Sequence, residues 1–389
     1  MRNLTLLTDL YEITMMQAYF KNNNKNKMAI FDVFYRKNPM DGGYAISAGL
    51  EQVIEYINNL HFTEDDINYL ASLKIFEDDF LGYLKNFKFT GDIYAIPEGS
   101  VIFPREPMLK VIAPIMEAQF IETAILNILN HQSLIATKAA RICYAAEGDG
   151  IMEFGLRRAQ GPDAGIYGAR AAVIGGCAGT SNVLTGQMFD VPVMGTHAHS
   201  WIMSFDDEYT AFYTYAKLYP MACTLLVDTY DTLNSGVPNA IKVFKQMKKE
   251  GIELKNYGIR LDSGDLAYLS KKARKMLDDA GFKDATITAS NDLDEFLIAS
   301  LKMQGAEITN WGVGTNLITS KDCPSFGGVY KLAAIMEDGE NFTPKIKLSD
   351  NSEKITNPGN KKIYRIYEKE NNKIKADLIC LENETFTEN

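Results

Sequence analysis

Histidine is scarce in this chain, with four among 389 residues, and cysteine is nearly as sparse. The five cysteines (Cys143, Cys177, Cys223, Cys323 and Cys380) are odd in number, widely spaced and never arranged as CxxC. That pattern argues against a disulfide framework or a zinc ribbon and leaves reduced core thiols as the expectation. No stretch reaches the roughly 18 uninterrupted apolar residues that a membrane-crossing helix needs. Basic residues are the minority, 40 Lys+Arg against 50 Asp+Glu, with a pI near 5.1. Nucleic acid is therefore a poor main partner, because phosphate backbones call for a basic face, although local basic clusters can still meet small anions. The GxxxxGK(S/T) loop is missing, and no GxGxxG follows a strand, so the standard nucleotide-loop enzymes find no support. The start, MRNLTLLTDLYEITMMQAYF, lacks a signal-peptide layout because acidic residues interrupt its apolar positions. A soluble, cytoplasmic protein is expected.

What the chain does contain is enough for a large core: 46% of its residues are hydrophobic and 23% charged. Residues 1–116 mix patterns. DLYEITMMQAYFK, GLEQVIEYINNL and TEDDINYLASL have helical spacing, MAIFDVFYRK reads as a strand, and Pro- and Gly-punctuated short strands follow. From 117 to 320 a long apolar helical region leads into short strands alternating with amphipathic helices. The strand candidates are AAVIGG, CTLLVDTY, YGIRLDSG, ATITASN and ITNWGVGT. This alternation predicts βα units and parallel strands, in a barrel or an open sheet. Residues 321–389 turn β-like and charged and are expected to join the N-terminal module as a discontinuous outer domain, with the final LENETFTEN frayed.

Several strand candidates run into polar or Gly-rich ends: VDTYD, RLDSGD, SNDLDE and GVGTN. In α/β barrels and open sheets the C-terminal strand ends carry the chemistry. Ser, Asn and Asp also cap helices, which explains any one end, but four in succession point to a shared site. In RLDSGD, Arg260 offers a planar fork for phosphate or carboxylate, and Asp262 suits ribose hydroxyls or a magnesium ion. A surface Arg–Asp pair beside a capped helix is the competing reading. The Gly-spaced turns GGCAGTSN and NWGVGTN free backbone N–H groups for a phosphate, or are tight structural turns. Arg157, Arg158 and Arg170 form a basic cluster that is either an anion site or a solvated face.

The segment MGTHAHSWIMSF holds two of the four histidines, His197 and His199. HxH can chelate zinc on the first strand of hydrolase barrels. Here it falls well inside the α/β region, with only His61 and His131 as further histidines. A nucleophilic or acid–base histidine near anion-binding strand ends fits better than a metal site.

Together LLTDLYEITMMQAYF, FGLRRAQGPDAG, GGCAGTSNVLTG, GTHAHSWIMSF, LLVDTYDTLNSGV, GIRLDSGDL, GVGTNLITS and CPSFGGVYKL resemble one family closely, the nicotinate phosphoribosyltransferases, in a compact form. The resemblance implies an α/β fold: an irregular (β/α) barrel of the type II phosphoribosyltransferase kind plus an α+β outer domain. It implies conversion of nicotinate, phosphoribosyl pyrophosphate and ATP to nicotinate mononucleotide, pyrophosphate, ADP and phosphate in NAD salvage. Mg2+ and a homodimer with a shared active site are implied as well. By the same resemblance His199 is the residue transiently phosphorylated by ATP, and Thr196 contacts nicotinate. Tyr11 of the neighbouring subunit stacks on the pyridine ring opposite Phe154. Arg157 and Arg260 meet anionic groups, Asp262 and Asp292 hold ribose or metal, and Gly314 and Thr315 bind phosphate. The nearest rival, nicotinamide phosphoribosyltransferase, carries an Asp where this chain has Ser181. A carboxylate there would repel nicotinate, so Ser181 favours the acid. His197 receives no role. A barrel that merely binds sugar phosphates and an HxH metal hydrolase remain as other classes.

Overall fold

The computed structural model describes residues 2–22, 24–337, 339–350 and 354–385. Residues 386–389, the end of the segment expected to fray, lie outside the described residues. The chain divides into two compact units, residues 135–324 and residues 1–134 with 325–389. The first division falls inside the helix Glu122–Ala145.

Unit 135–324 holds a six-stranded parallel sheet. Its spatial order is Gly179–Thr180, Gly150–Glu153, Asn310–Val313, Thr286–Ala289, Gly258–Leu261, Thr224–Leu226. The strands are short, and most of their residues are buried, as parallel strands covered by helices require. Register places Arg260 between Leu226 and Thr288, so residues 228, 262 and 290 emerge at neighbouring strand ends. The chain passes from each of the last four strands but the final one into an amphipathic helix: Val237–Lys249, Leu266–Asp279 and Glu295–Met303. The turn Thr232–Gly236 ahead of the first of these is a π-helix, a form often found at functional sites.

The edges of this sheet are joined by one loop. Thr180 bridges Val193 in parallel, with Met194 N–H donating to Thr180 O at 2.9 Å. At the other edge, Leu226 N–H donates to His197 Nε2 at 3.3 Å. Segment 193–197 thus spans the seam, giving the irregular α/β barrel expected from the resemblance. AAVIGG, expected as a strand, is the end of the helix Pro162–Ile174.

The other unit is built on an antiparallel five-stranded sheet ordered Phe342–Pro344, Gly328–Met336, Met28–Tyr35, Leu109–Pro114, Asp92–Ala95. The C-terminal strand Gly328–Met336 pairs directly with the buried N-terminal strand Met28–Tyr35. Lys361 reaches Asp32 at 2.6 Å, a buried ion pair between segments far apart in sequence. Helix Glu64–Ser72 opens with a capping box between Thr63 and Asp66. Phe62, Phe87 and Phe120 pack in mutual contact beneath the helices. The cysteines form no disulfide among the described residues.

Candidate active site

The acidic strand ends divide their labour. In VDTYD, RLDSGD and SNDLDE the last Asp caps the following helix: Asp231 accepts from Asn234 N–H at 2.9 Å, Asp265 from Tyr268 N–H at 2.9 Å and Asp294 from Leu297 N–H at 2.8 Å. The first Asp of the first two does something else. The side chain of Asp228 is almost fully buried and places Oδ1 3.1 Å from His199 Nε2. Its Oδ2 accepts from Asp262 N–H at 2.8 Å and from the Ser263 hydroxyl at 2.7 Å.

Arg260 projects from the neighbouring strand, and three partners set its guanidinium. Nε donates to Ser290 Oγ at 2.7 Å, one terminal nitrogen to Thr196 Oγ1 at 2.7 Å and the other to Asp262 Oδ1 at 2.8 Å. Ser290 also donates to Asp262 Oδ1. Burial alone would push the Asp262 carboxyl up. The Ser290 hydroxyl, Arg260 and the nearby His199 outweigh it and hold Asp262 below the usual carboxylate range. No hydrogen bond engages Asp262 Oδ2 among the described residues. Thr196, Arg260, Ser290, Asp262, Asp228 and His199 therefore form one hydrogen-bonded circuit, closed by the chain from Thr196 to His199.

Phe154 follows the strand Gly150–Glu153, and its ring centroid lies 5.9 Å from the Arg260 guanidinium carbon. A Cβ on Gly312 would fall 2.6 Å from that ring, so only glycine leaves it room on the adjacent strand. Ser181 is half-buried in the next turn, its N–H donating to Glu153 O at 3.0 Å. Thr315 begins the short helix Thr315–Ile318 with Gly314 ahead of it, and Asp292 is exposed, its carbonyl accepting from Asn316 Nδ2 at 3.0 Å. Arg157 and Arg158 are exposed, whereas Arg170 is buried with its guanidinium carbon 5.4 Å from the Phe189 centroid. Tyr11 belongs to the other unit, exposed on the helix Leu10–Lys21.

Sequence reasoning did not assign Asp228, Ser290, Ser263 or Glu153, although VDTYD and SNDLDE drew attention to the right ends. His197 also has a part. It is buried, packs its ring on Tyr215 at 4.7 Å and accepts from Leu226 across the seam. Burial, with the charges of Arg260 and His199, holds its pKa down at about 4, so it is neutral and structural. Among the described residues no group of three His, Cys, Asp or Glu is placed to hold a metal, and the two imidazoles of HxH serve different partners, His197 Nε2 facing Leu226 N–H and His199 Nε2 facing Asp228.

A crystal structure of human nicotinic acid phosphoribosyltransferase superposes with a TM-score of 0.84 at 31% identity, covering 98% of this chain and 82% of that one. A nicotinate-nucleotide pyrophosphorylase structure from Pyrococcus furiosus shares the fold, with a TM-score of 0.75 at 23% identity over 99% of this chain and 85% of that one. Fold and site together define the class, a phosphoribosyltransferase built on an irregular α/β barrel. Residues 6–130 match the nicotinate phosphoribosyltransferase (NAPRTase) N-terminal domain, and residues 150–378 match the nicotinate phosphoribosyltransferase (NAPRTase) family. Nicotinate phosphoribosyltransferase from Bacillus subtilis (strain 168) is 53% identical over 382 residues, which is 98% of this chain and 77% of the relative. The chain belongs to the nicotinate phosphoribosyltransferase family.

Proposed function

We propose that this chain forms nicotinate mononucleotide and pyrophosphate from nicotinate and phosphoribosyl pyrophosphate, and couples the transfer to ATP hydrolysis through His199. The observation that carries the reading is the circuit joining His199 through Asp228 and Asp262 to Arg260 and Thr196. The pyridine nitrogen attacks ribose C1 as the bond to pyrophosphate breaks, through an oxocarbenium-like state. Such a reaction needs position and charge stabilisation more than a strong nucleophile in the protein.

The roles follow from the chemistry of each group. Arg260, already oriented by three acceptors, presents its remaining N–H groups to the donor's phosphates. Phe154 supplies one face for the flat pyridine, and Tyr11 of a partner subunit supplies the other. Arg157 meets the nicotinate carboxylate, and Ser181 offers it a hydroxyl where a carboxylate would repel it. That favours the acid over nicotinamide. Asp292, Gly314 and Thr315 contact ribose and phosphate. Asp228 receives one ring N–H of His199 and leaves the other nitrogen with the lone pair needed to accept a phosphoryl group. Phosphate then passes to water, with Asp228 steadying the charged ring.

The donor set fits Mg2+. The described residues offer no three-ligand cage, but they leave Asp262 Oδ2 open beside Arg260. Mg2+ commonly takes one or two carboxylates and completes its shell from water and substrate phosphates. Asp262 and Asp292 would hold it, and it would neutralise charge on the departing pyrophosphate.

The test is a steady-state comparison of nicotinate with nicotinamide, each with and without ATP. Nicotinate turnover stimulated by ATP is expected, and the stimulation should vanish in His199→Ala. Zinc-dependent activity that survives His199→Ala overturns the reading. Sedimentation, with and without substrates, checks the dimer.

A further inference from the structure

Glu153 ends the strand Gly150–Glu153 with no exposed surface, yet it has no ion pair among the described residues. Burial pushes its carboxyl up, opposed by two hydrogen bonds. Its two oxygens serve different segments. Oε2 accepts from the Thr180 hydroxyl at 2.6 Å, and Oε1 accepts from the Gly155 N–H. Thr180 Oγ1 passes the restraint on by accepting from Asn182 N–H at 3.0 Å. One buried side chain therefore ties the turn carrying Phe154 and Arg157 to the turn carrying Ser181. None of the groups assigned to the phosphoribosyl donor (Arg260, Asp262, Asp292, Gly314, Thr315) is hydrogen-bonded to it.

Burying an unpaired carboxylate costs stability, and an apolar or amide side chain of similar size would ease that cost. What a carboxylate supplies is two acceptors fixed in one plane, able to hold two donors from separate turns at a set distance. We propose that Glu153 is a positioning residue that fixes the separation of the two walls of the nicotinate pocket, and so governs affinity for the flat acid and not for the phosphoribosyl donor. The inference rests on the assignment of Phe154, Arg157 and Ser181 to nicotinate made above.

Two variants test it. Glu153→Gln keeps the shape but can accept from only one of the two donors. Thr180→Val removes one arm of the tie with little change of volume and stands in should the Gln variant fold poorly. Both are compared with wild type for KM of each substrate, kcat and Tm. A rise in nicotinate KM of about tenfold is expected for Thr180→Val, with the donor's KM within about twofold of wild type, the size of one lost hydrogen bond to a charged group. Glu153→Gln should give a smaller rise of the same selectivity. Equal rises in both KM values, or a fall in Tm with both KM values unchanged, reject the positioning role while wild-type turnover of nicotinate leaves the function standing. A wild-type enzyme inactive on nicotinate removes the site assignment and this inference with it.

Discussion

At the scale of single residues, the most informative contrast is between aspartates two or three positions apart. Asp228 faces His199 and the turn at Asp262 and Ser263, whereas Asp231 turns back to cap a helix. Asp262 and Asp265 repeat the division. Removing charge from the first of each pair should strike the chemistry. Asp228→Asn is expected to lower kcat by on the order of 100-fold and to uncouple ATP hydrolysis, read as the ratio of ADP to nicotinate mononucleotide formed. Asp231→Asn, which keeps an acceptor at the cap, should leave that ratio as it was. The sequence showed that these ends were acidic, but not which carboxylate turned inward, because capping and ligand binding ask for the same residue types. Ser290 was hidden for another reason: its role depends on the register that sets Thr288 beside Arg260, and register is a property of the sheet. Glu153 looked like an ordinary strand end until the Thr180 turn was seen to fold over it.

At the scale of elements, close backbone approach decides where the strand ends point. The π-turn Thr232–Gly236 presses on the strand end, and a Cβ on Gly236 would stand 1.8 Å from Val227 O, next to Asp228. Gly236→Ala is expected to cost about 2 kcal/mol or more in urea unfolding, because the backbone cannot yield as a flexible side chain would. Gly312→Ala should act differently. Its Cβ meets the Phe154 ring, so nicotinate KM should rise with little change in unfolding midpoint. Most elements were legible from periodicity, and four of the five strand candidates in the α/β region are strands. AAVIGG was not, because a short apolar run looks the same in a buried strand and in a buried helix. Pro162 at the helix start and the small residues Gly165, Gly168, Ala169, Ala171 and Ala172, buried on tight packing surfaces, settle it as helix.

At the scale of the whole molecule, individual buried groups give stability opposing dependences on pH. Glu12, buried in the unit that contains the N-terminus, has its carboxyl pushed up to about 7, chiefly by burial, with Gln119 and Tyr11 opposing. Between its ordinary value of 4.5 and about 7 the folded chain holds more protons than the unfolded one, so stability falls as pH rises through this window. Glu106 behaves alike, raised to about 7 by burial and by the carboxyl of Asp377. In the barrel unit His197 has the reverse character. Its pKa is 6.5 unfolded and about 4 folded, so stability falls as pH drops through that interval. Glu12→Gln should therefore raise Tm at pH 8 relative to wild type and have little effect at pH 4.5. His197→Gln, which can still accept from Leu226, should flatten the acid limb of the Tm profile. Calorimetric scans from pH 4.5 to 8 check both.

The loop that spans the barrel seam has a consequence for genetics. His197 and His199 are separated by one residue, yet one spans the barrel seam and the other joins the hydrogen-bonded circuit through Asp228. Growth-based selection for pyridine-nucleotide supply would score lesions at both as the same null phenotype. Measuring protein abundance beside growth would separate them: alleles at 197 are lost through turnover of unfolded chain, and alleles at 199 persist as full-length, inactive protein. If the chain pairs as proposed above, such persistent copies would join wild-type partners, and among the two neighbouring histidines it is 199 where dominant alleles are expected to arise.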